Sequence, residues 1–292
     1  MATAAPRPKL LAIVGPTASG KTALAIKVAR KFNGEIICAD SRTVYKAMDI
    51  GTAKPTKKEQ AQVKHWGLDL IEPGQRFTAY QFKKYAQKAI KDIQKRGKLP
   101  ILVGGSGLYI DAVLFDFGFL AGTDLKTRQK LEALSLAQLQ QLIVSKGYKL
   151  PQNSKNRRHL IRTIETKGQK ATRKSNVDKS ILLVGIQVPT SELKKRIDKR
   201  VDDWFLGDIL DEVKNLRRRY GQNFLKTAGI GYQACCKLLH GEVNEDQAKD
   251  VFKKEHWQYA RRQATWFRRN PFIQWFGSKE EVYKAIERQL NT

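Results

Sequence analysis

The sequence predicts an α/β protein in which helices cover both faces of a parallel β-sheet, interrupted by a helical, basic insertion. Short apolar runs alternate with helical patterns between residues 9 and 112, and strand character returns after residue 179. This alternation is typical of a parallel sheet. The stretch between the two parts has few strand-like runs and many basic residues. We therefore expect a core formed by residues 1–112 and 179–292, and an inserted helical domain at 113–178.

The individual elements follow from periodicity. Apolar runs predict buried strands, and apolar residues on one face predict helices. The predicted strands are Lys9–Val14, Glu35–Ala39, His65–Ile71, Leu99–Val103 and Ser180–Val188. The predicted helices of the first part are Lys21–Phe32 and Thr78–Arg96, which ends at Gly97. After residue 188 we expect only helices.

The charge balance indicates a polyanionic partner. The 292 residues include 55 Lys and Arg against 28 Asp and Glu, a formal net charge of +27. The segment Lys146–Lys179 contains eleven Lys and Arg against two Asp and Glu, a net of +9. A clustered excess of this kind favours nucleic acid, with an anionic membrane surface as the second candidate. The alternative is a protein that is basic only because its whole proteome is basic.

Other compositional features exclude several classes of protein. No run approaches the roughly 18 apolar residues that span a bilayer, and no signal-peptide pattern precedes the first strand. We expect a soluble cytoplasmic protein without a membrane-spanning segment, with nucleic acid and no membrane as its partner. The three cysteines, Cys38, Cys235 and Cys236, lack the spacing of a disulfide framework or a zinc site. The four histidines share no ligand spacing either.

A glycine-rich segment, GPTASGKT, lies between the first predicted strand and helix and satisfies the pattern G-x-x-x-x-G-K-[ST]. In this context it indicates a phosphate-binding loop and a P-loop NTPase-like sheet, because its backbone N–H groups and the following helix attract an anion. The pattern predicts a bound di- or triphosphate but does not specify a nucleotide. Lys21 adds positive charge, and the Thr22 hydroxyl is suited to Mg²⁺. The residues expected to bind the phosphates are Gly15, Thr17, Ala18, Ser19, Gly20, Lys21 and Thr22.

An acidic residue ends the next strand, at Asp40 of EIICAD. The Leu99–Val103 strand ends in Gly104, Gly105 and Ser106, and therefore offers no acid to support a metal as in a P-loop ATPase. Asp40 is instead a candidate hydrogen-bond acceptor or general base for a nucleophile. Its alternative role is to cap a turn or a helix.

Eight segments, in order, resemble the tRNA dimethylallyltransferase family, also called the tRNA isopentenyltransferase family. They are GPTASGKT, ADSRTVYKAMDIGTAKP (Ala39–Pro55), VGGSGLYI (Val103–Ile110), NRRHLIRTIE (Asn156–Glu165), ILLVGIQVP, RVDDW (Arg200–Trp204), AGIGYQ (Ala228–Gln233) and YARRQATWFRR (Tyr259–Arg269). The chain departs from the family at Ser106, where Thr is usual, at His159, where Arg is usual, and at His256-Trp257, where Thr-Arg is common. A shorter segment before Asn156 implies a reduced insertion. The lack of a zinc-finger extension implies a bacterial type.

The resemblance implies a specific reaction. Dimethylallyl diphosphate donates its prenyl group to the exocyclic amine of the adenine adjacent to the anticodon on its 3′ side, and pyrophosphate leaves. The adenine is flipped out of its stack. The implied catalytic residues are Asp40, Lys21, Thr22 and Ser106, with Mg²⁺ as cofactor. The implied tRNA-binding residues are Asp40, Ser41, Arg42, Thr43, Ser106, Arg158, His159, Arg162, Arg261, Arg262 and Arg268. We expect a monomer that binds the anticodon stem-loop.

The C-terminal helix offers a basic stripe of its own. Lys254, Arg261 and Arg268 recur every seven residues, which places them on one face of a helix. Stem phosphates need such a track of cations. Aromatic residues lie between them, and we expect these to pack mainly in the core.

Three other functions remain open at this point. A small-molecule kinase would hold ATP in the P-loop, and an adenylate prenyltransferase would use free AMP or ATP as acceptor. A non-catalytic RNA-binding protein would not need a complete P-loop. The missing metal-holding acid disfavours the kinase, and the basic insertion disfavours the free-nucleotide enzyme.

Overall fold

The protein is described by a computed structural model that covers residues 8–291, apart from the side chain of Leu125. It has six strands and twelve α-helices in this range. The strands are β1 Leu10–Val14, β2 Gly34–Cys38, β3 His65–Trp66, β4 Leu99–Gly104, β5 Ile181–Ile186 and β6 Gln274–Phe276. The helices are α1 Lys21–Lys31, α2 Lys57–Gln60, α3 Ala79–Lys95, α4 Gly107–Leu114, α5 Leu125–Ala133, α6 Leu136–Ser145, α7 Arg157–Glu165, α8 Thr190–Leu206, α9 Ile209–Tyr220, α10 Tyr232–Leu239, α11 Glu245–Phe267 and α12 Lys279–Leu290.

The six strands form one parallel sheet in the order β3-β2-β4-β1-β5-β6. The predicted α/β fold is thus confirmed. Strand β1 is central and pairs with β4 on one side and β5 on the other, with Leu11 opposite Ile101 and Leu182. Strand β1 is fully buried, as expected for the central strand of a sheet that is covered on both faces. The carboxyl ends of parallel strands share one edge, which is where open α/β sheets bind ligands.

Two predictions about the sheet are wrong. The third strand covers only His65–Trp66, because Gly67 and Asp69 have positive φ angles of 85° and 54° and turn the chain out of the sheet. The expectation of only helices after residue 188 fails at β6, which pairs with β5 at the sheet edge. Three residues are too few to show a strand period, so tertiary pairing alone reveals this strand.

The chain divides into two compact units, Phe115–Ser175 and the remainder. The boundaries proposed from sequence, 113 and 178, lie two and three residues outside this unit. Helices α5, α6 and α7 form the smaller unit around a core of their own, centred on Leu139, Ile143 and Leu160. Buried Glu165 joins its segments by binding Arg128 at 2.7 Å and Arg162 at 3.2 Å. Within residues 8–291, no helix is long and apolar enough to cross a bilayer.

A buried carboxylate fixes the start of β2, at the edge opposite the carboxyl ends of the strands. The side chain of Glu35 is only 2% exposed. Its carboxylate forms ion pairs with Arg96 and with Lys98, and the distance to the Lys98 ammonium group is 2.9 Å. The Trp66 indole also donates to it at 2.8 Å. The hydrogen bonds from Arg96, opposed by burial, lower the pKa of Glu35 from 4.5 to about 2.

Replacing Glu35 should therefore destabilise the protein in a pH-dependent way. The pKa of Glu35 is depressed in the folded state, so its stabilisation is present above pH 4.5 and is lost as the pH falls toward 2. E35Q should lower the free energy of unfolding by about 1–3 kcal/mol at neutral pH, because Arg96 and Lys98 are partly solvated. Urea unfolding at several pH values tests this. A deficit in E35Q that persists unchanged at pH 2 would contradict the assignment.

Candidate functional site

The segment Gly15–Gly20 forms a tight loop between β1 and α1. Gly15 has a φ of 148°, and a Cβ there would lie 2.9 Å from the carbonyl oxygen of Ile186. Gly20, with a φ of 86°, immediately precedes α1. The loop therefore has the backbone conformation that its two glycines permit, and α1 begins where it ends. A helix that starts in this position directs its free N–H groups toward an anion.

Lys21 closes over this loop from the first turn of α1. Its ammonium group donates to the Pro16 carbonyl at 2.5 Å and lies 3.4 Å from the Ser19 hydroxyl. Burial lowers the pKa of Lys21 from 10.5 to about 7, while the nearby charge of Asp40 raises it and that of Arg200 lowers it. Near neutral pH the side chain is thus poised between its charged and neutral forms.

Asp40 follows β2 at the same edge of the sheet. Its Oδ1 accepts from the backbone N–H of Arg42 at 2.7 Å, and the Thr43 N–H also bonds to it. Burial raises the pKa of Asp40 above 3.8, and the hydrogen bond from Arg42 and the charges of Arg42 and Lys21 oppose that rise. The backbone bonds hold the carboxylate in one orientation. An oriented, desolvated carboxylate is well suited to accept a proton.

Ser106 joins the end of β4 to the Asp40 segment. Its hydroxyl accepts from the Ser41 N–H at 2.9 Å, and its own N–H donates to the Ala39 carbonyl at 3.2 Å. It also shares a hydrogen bond with the Tyr259 hydroxyl of α11. Gly104 permits this approach, since a Cβ there would lie 2.0 Å from the Ala39 oxygen. Ser106 therefore links three chain segments around Asp40.

Three further residues complete the site, and sequence reasoning did not select them. Gln263 of α11, which is buried, accepts from the Thr17 N–H at 2.8 Å. Arg200 of α8 donates to the Thr17 hydroxyl at 3.2 Å, and burial lowers its pKa. Tyr259 bonds to both Ser106 and Gln263. All three lie within two motifs that carry the family resemblance, RVDDW and YARRQATWFRR. Their place in these motifs is the sequence signal that could have identified them.

Lys21, Asp40, Arg200 and Gln263 line one cavity of about 280 Å³, whereas Ser106 and Tyr259 are not among its lining residues. It extends from the P-loop past Asp40 to a loop at residues 52–55. Its polar lining includes cations from α1 and α8, the Asp40 carboxylate and the Gln263 amide. Of the residues predicted from sequence, the cavity is lined by Thr17, Ala18, Gly20, Lys21, Thr22, Asp40 and Thr43. A phosphate cradle and an acid-base group therefore face the same enclosed space.

Comparison with known proteins identifies the family. The family model described as IPP transferase matches residues 43–270. A tRNA dimethylallyltransferase of Staphylococcus haemolyticus is 39% identical, over 98% of this chain and 92% of its own length. One from Acetivibrio thermocellus is 36% identical over 97% of both. The chain belongs to the IPP transferase family. The resemblance drawn from the eight motifs is thus confirmed.

Solved structures of this family have the same fold. The crystal structure of the full-length tRNA isopentenylpyrophosphate transferase from Bacillus halodurans superposes with a TM-score of 0.72 at 33% identity, covering 98% of this chain and 97% of that one. A eukaryotic dimethylallyltransferase acting on tRNA gives a TM-score of 0.74 at 25% identity, with 96% and 76% covered. The chain is accordingly a transferase with the P-loop NTPase-like fold expected from its sequence.

The remaining family positions fall into two groups. The side chains of Lys254, Arg261 and Arg262 on α11, and of Arg268 at its C-terminal cap, are exposed. The aromatic residues between them divide: Phe252 and Phe267 are buried in the core, whereas the Trp266 indole donates to Asp111 at 2.8 Å. The guanidinium of Arg42 donates to the Thr227 carbonyl at 2.7 Å, which anchors it beside Asp40.

The family residues of the inserted unit differ in their surroundings. Arg158 and His159 are exposed at the start of α7. Arg162 instead donates to the Leu120 carbonyl at 2.6 Å and pairs with Glu165. Its guanidinium therefore stabilises the unit itself.

The family departure at His256-Trp257 has a structural account. His256 is buried on α11, edge-on to Trp204 and Phe252. Burial, with a smaller effect of the Arg200 charge, lowers the pKa of His256 to about 3. The imidazole is therefore neutral at physiological pH, and it fills the interface between α8 and α11.

Pyrophosphate binding should report the low pKa of Lys21. Above pH 7 the free protein loses the Lys21 proton, so an anion that requires the charged form must bind with proton uptake. The dissociation constant should then rise by up to about tenfold per pH unit above 7. K21R serves as the control because its guanidinium stays charged. The ionisation of pyrophosphate itself affects wild type and K21R equally, so it cancels when the two are compared.

Isothermal titration between pH 6 and 9 measures this effect. The ratio of the wild-type to the K21R dissociation constant should be flat below pH 7 and increase above it. A constant ratio over the whole range would show that Lys21 keeps its proton throughout.

Proposed function

We propose that the protein transfers a dimethylallyl group from dimethylallyl diphosphate to N6 of the adenosine 3′-adjacent to the anticodon of tRNA, releasing pyrophosphate. The observation that carries this proposal is the shared cavity, which is lined both by the P-loop and by Asp40. A P-loop that serves a kinase places ATP there. Here a carboxylate at the acceptor position and relatives named tRNA dimethylallyltransferase favour a prenyl diphosphate.

Asp40 and the P-loop have different roles in the proposed reaction. The bond between the allylic carbon and the diphosphate oxygen breaks, and a bond forms between that carbon and N6. Asp40 accepts the N6 proton, since the lone pair of an adenine amine is delocalised and needs such help. Lys21 and the N–H groups of the loop stabilise the charge on the departing pyrophosphate. Ser106, through Ser41 and Ala39, holds the Asp40 segment in place.

Mg²⁺ is the proposed cofactor. Within residues 8–291, no cluster of three or more His, Cys, Asp or Glu side chains is arranged to hold a metal. Thr22 nevertheless lines the cavity with a hydroxyl, and Mg²⁺ favours few protein oxygens together with substrate phosphates. The residues present therefore fit an ion that Thr22 and the diphosphate hold jointly. Such an ion supplies additional positive charge to the leaving group.

The tRNA partner is supported by charge. Lys254 and Arg261 on α11 and Arg268 at its C-terminal cap form an exposed stripe. The same helix carries Gln263, which lines the cavity. Arg158 and His159 add exposed polar groups on α7. We assign these side chains to phosphates of the anticodon stem-loop, and Asp40, Ser41, Arg42, Thr43 and Ser106 to the flipped adenosine. A monomer in the cytoplasm completes the proposal.

One assay tests the function against its rivals. Radiolabelled dimethylallyl diphosphate is incubated with unmodified tRNA, with AMP or with ATP. The proposal expects label in tRNA only, and no consumption of ATP. Label in AMP or ATP would indicate an adenylate prenyltransferase, and stoichiometric use of ATP would indicate a kinase.

Asp40 variants should separate catalysis from binding. D40A should reduce kcat by about 10²- to 10⁴-fold, and D40N should also be impaired because an amide can orient the amine but is a poor base. Stem-loop affinity should change little, since phosphate contacts dominate it. Single-turnover transfer beside a binding titration measures both. Near-normal transfer by D40A would place the base elsewhere.

Binding of the anticodon stem-loop should depend strongly on salt. The net charge of +27 and the basic insertion imply that several phosphates are neutralised on binding. The logarithm of the affinity should then fall with the logarithm of salt at a slope of about −0.7 to −0.9 per contact. Titrations at a series of salt concentrations, from about 50 to about 300 mM, test this. A flat response would remove the electrostatic argument.

A further inference from the structure

The loop at residues 49–55 forms one wall of the cavity but contains no helix or strand. Thr52, Ala53 and Pro55 line the same cavity as the P-loop residues. Ala53 has a φ of 52°, a conformation that residues with a Cβ rarely adopt. Local sequence preference therefore does not select this shape. Contacts from other parts of the chain must hold it.

Glu212 of α9 supplies such contacts, because its carboxylate accepts hydrogen bonds from the backbone of the loop. Its Oε2 accepts from the N–H groups of Asp49 and Ile50 at 2.8 and 2.6 Å, and its Oε1 accepts from Gly51 at 3.2 Å. Three successive N–H groups that converge on one anion form a concave binding site. Here the protein fills that site with its own carboxylate. Glu212 is not among the residues that line the cavity.

Tyr232 holds the Glu212 carboxylate in place through a hydrogen bond. Its hydroxyl donates to Oε1 of Glu212 at 2.6 Å, and its ring is fully buried. Gly51 packs directly on that ring, since a Cβ there would lie 2.7 Å from it. The loop is therefore seated against a rigid aromatic surface as well as hydrogen-bonded to Glu212.

Lys54 anchors the same loop near its other end. Its side chain is 1% exposed, and its ammonium group contacts Asp49 at 2.5 Å, Asp69 at 2.6 Å and the Tyr45 carbonyl at 2.8 Å. Thr52 and Ala53 thus lie between two anchors, Glu212 on one side and Lys54 on the other. The anchors leave Thr52 and Ala53 little freedom to move away from the cavity.

We propose that Glu212 is a positioning residue for prenyl transfer. It holds the 49–55 loop in place, so that the cavity keeps a shape that fits the substrates. The inference rests on the proposed function, but Glu212 touches neither the donor nor the acceptor in it. A shift of about 1 Å in a positioning group can cost about 10²-fold in rate. The loop wall, unlike the P-loop, contributes shape and not charge.

Graded variants test the proposal. E212A removes the acceptor, E212Q keeps one acceptor oxygen and places an NH₂ group near N–H donors, and Y232F removes only the hydroxyl that fixes the carboxylate. E35Q is the matched control, because Glu35 is also a multiply hydrogen-bonded carboxylate but lies at the opposite edge of the sheet. Each variant is measured at a temperature at which it is folded.

The expected result is a split between two readouts. E212A should lower kcat/KM for dimethylallyl diphosphate by about 10- to 100-fold, with smaller losses in E212Q and then Y232F. Inorganic pyrophosphate should bind all variants within about twofold of wild type, because the P-loop contacts are unchanged. Hydrogen exchange of the 49–51 amides should speed up in E212A. E35Q should lose stability without a change in kcat/KM.

Other outcomes overturn the proposal. Normal kcat/KM in folded E212A and Y232F would show that Glu212 only stabilises the fold. An equal loss of pyrophosphate binding would show that the variant disturbs the whole site. If E212A does not fold, E212Q and Y232F decide the same question. If the wild type transfers no prenyl group to tRNA, the proposed function fails, whereas loop exchange and pyrophosphate binding still test whether Glu212 holds the loop.

Discussion

Two opposite charges, Lys21 and Asp40, lie in one enclosed cavity at the carboxyl edge of the sheet, and most of the site is arranged around their desolvation. Burial pushes each toward its neutral form, lowering the pKa of Lys21 to about 7 and raising that of Asp40. Each charge opposes the shift of the other. The same balance suits them to a reaction in which an anion departs on one side and a proton is taken up on the other.

The charged pair depends on contacts between parts of the chain that are distant in sequence. Gln263 and Arg200 both bond to Thr17 in the P-loop, across 246 and 183 positions. Tyr259, one turn before Gln263 on α11, reaches Ser106 beside the Asp40 segment. Because α11 also presents the exposed arginines, one rigid helix connects the proposed tRNA surface to the phosphate cradle.

The cavity wall shows how a fold can support a site without contributing to its chemistry. Glu212 and Lys54 lie outside the reaction, yet between them they hold a loop whose backbone includes a strained alanine. Strained conformations of this kind persist only where the surroundings determine them. Such supporting residues are hard to find from sequence, because a glutamate on an amphipathic helix has the same pattern as any solvated one.

The sequence by itself determined the α/β class, the P-loop and the family, because these depend on local periodicity and on short ordered motifs. It also named Asp40, Ser106 and the arginines of α11 as candidates, whose roles in the site are proposals. Only the tertiary structure showed β6, whose three residues have no period to detect, and the early end of β3, which two positive φ angles impose. Likewise, only tertiary structure assigned Arg200, Gln263 and Tyr259 to the P-loop and to Ser106, and gave Arg162 a partner in Glu165. Burial and long-range hydrogen bonds decide which of many similar side chains reach a site, and neither is encoded in the spacing of residues along the chain.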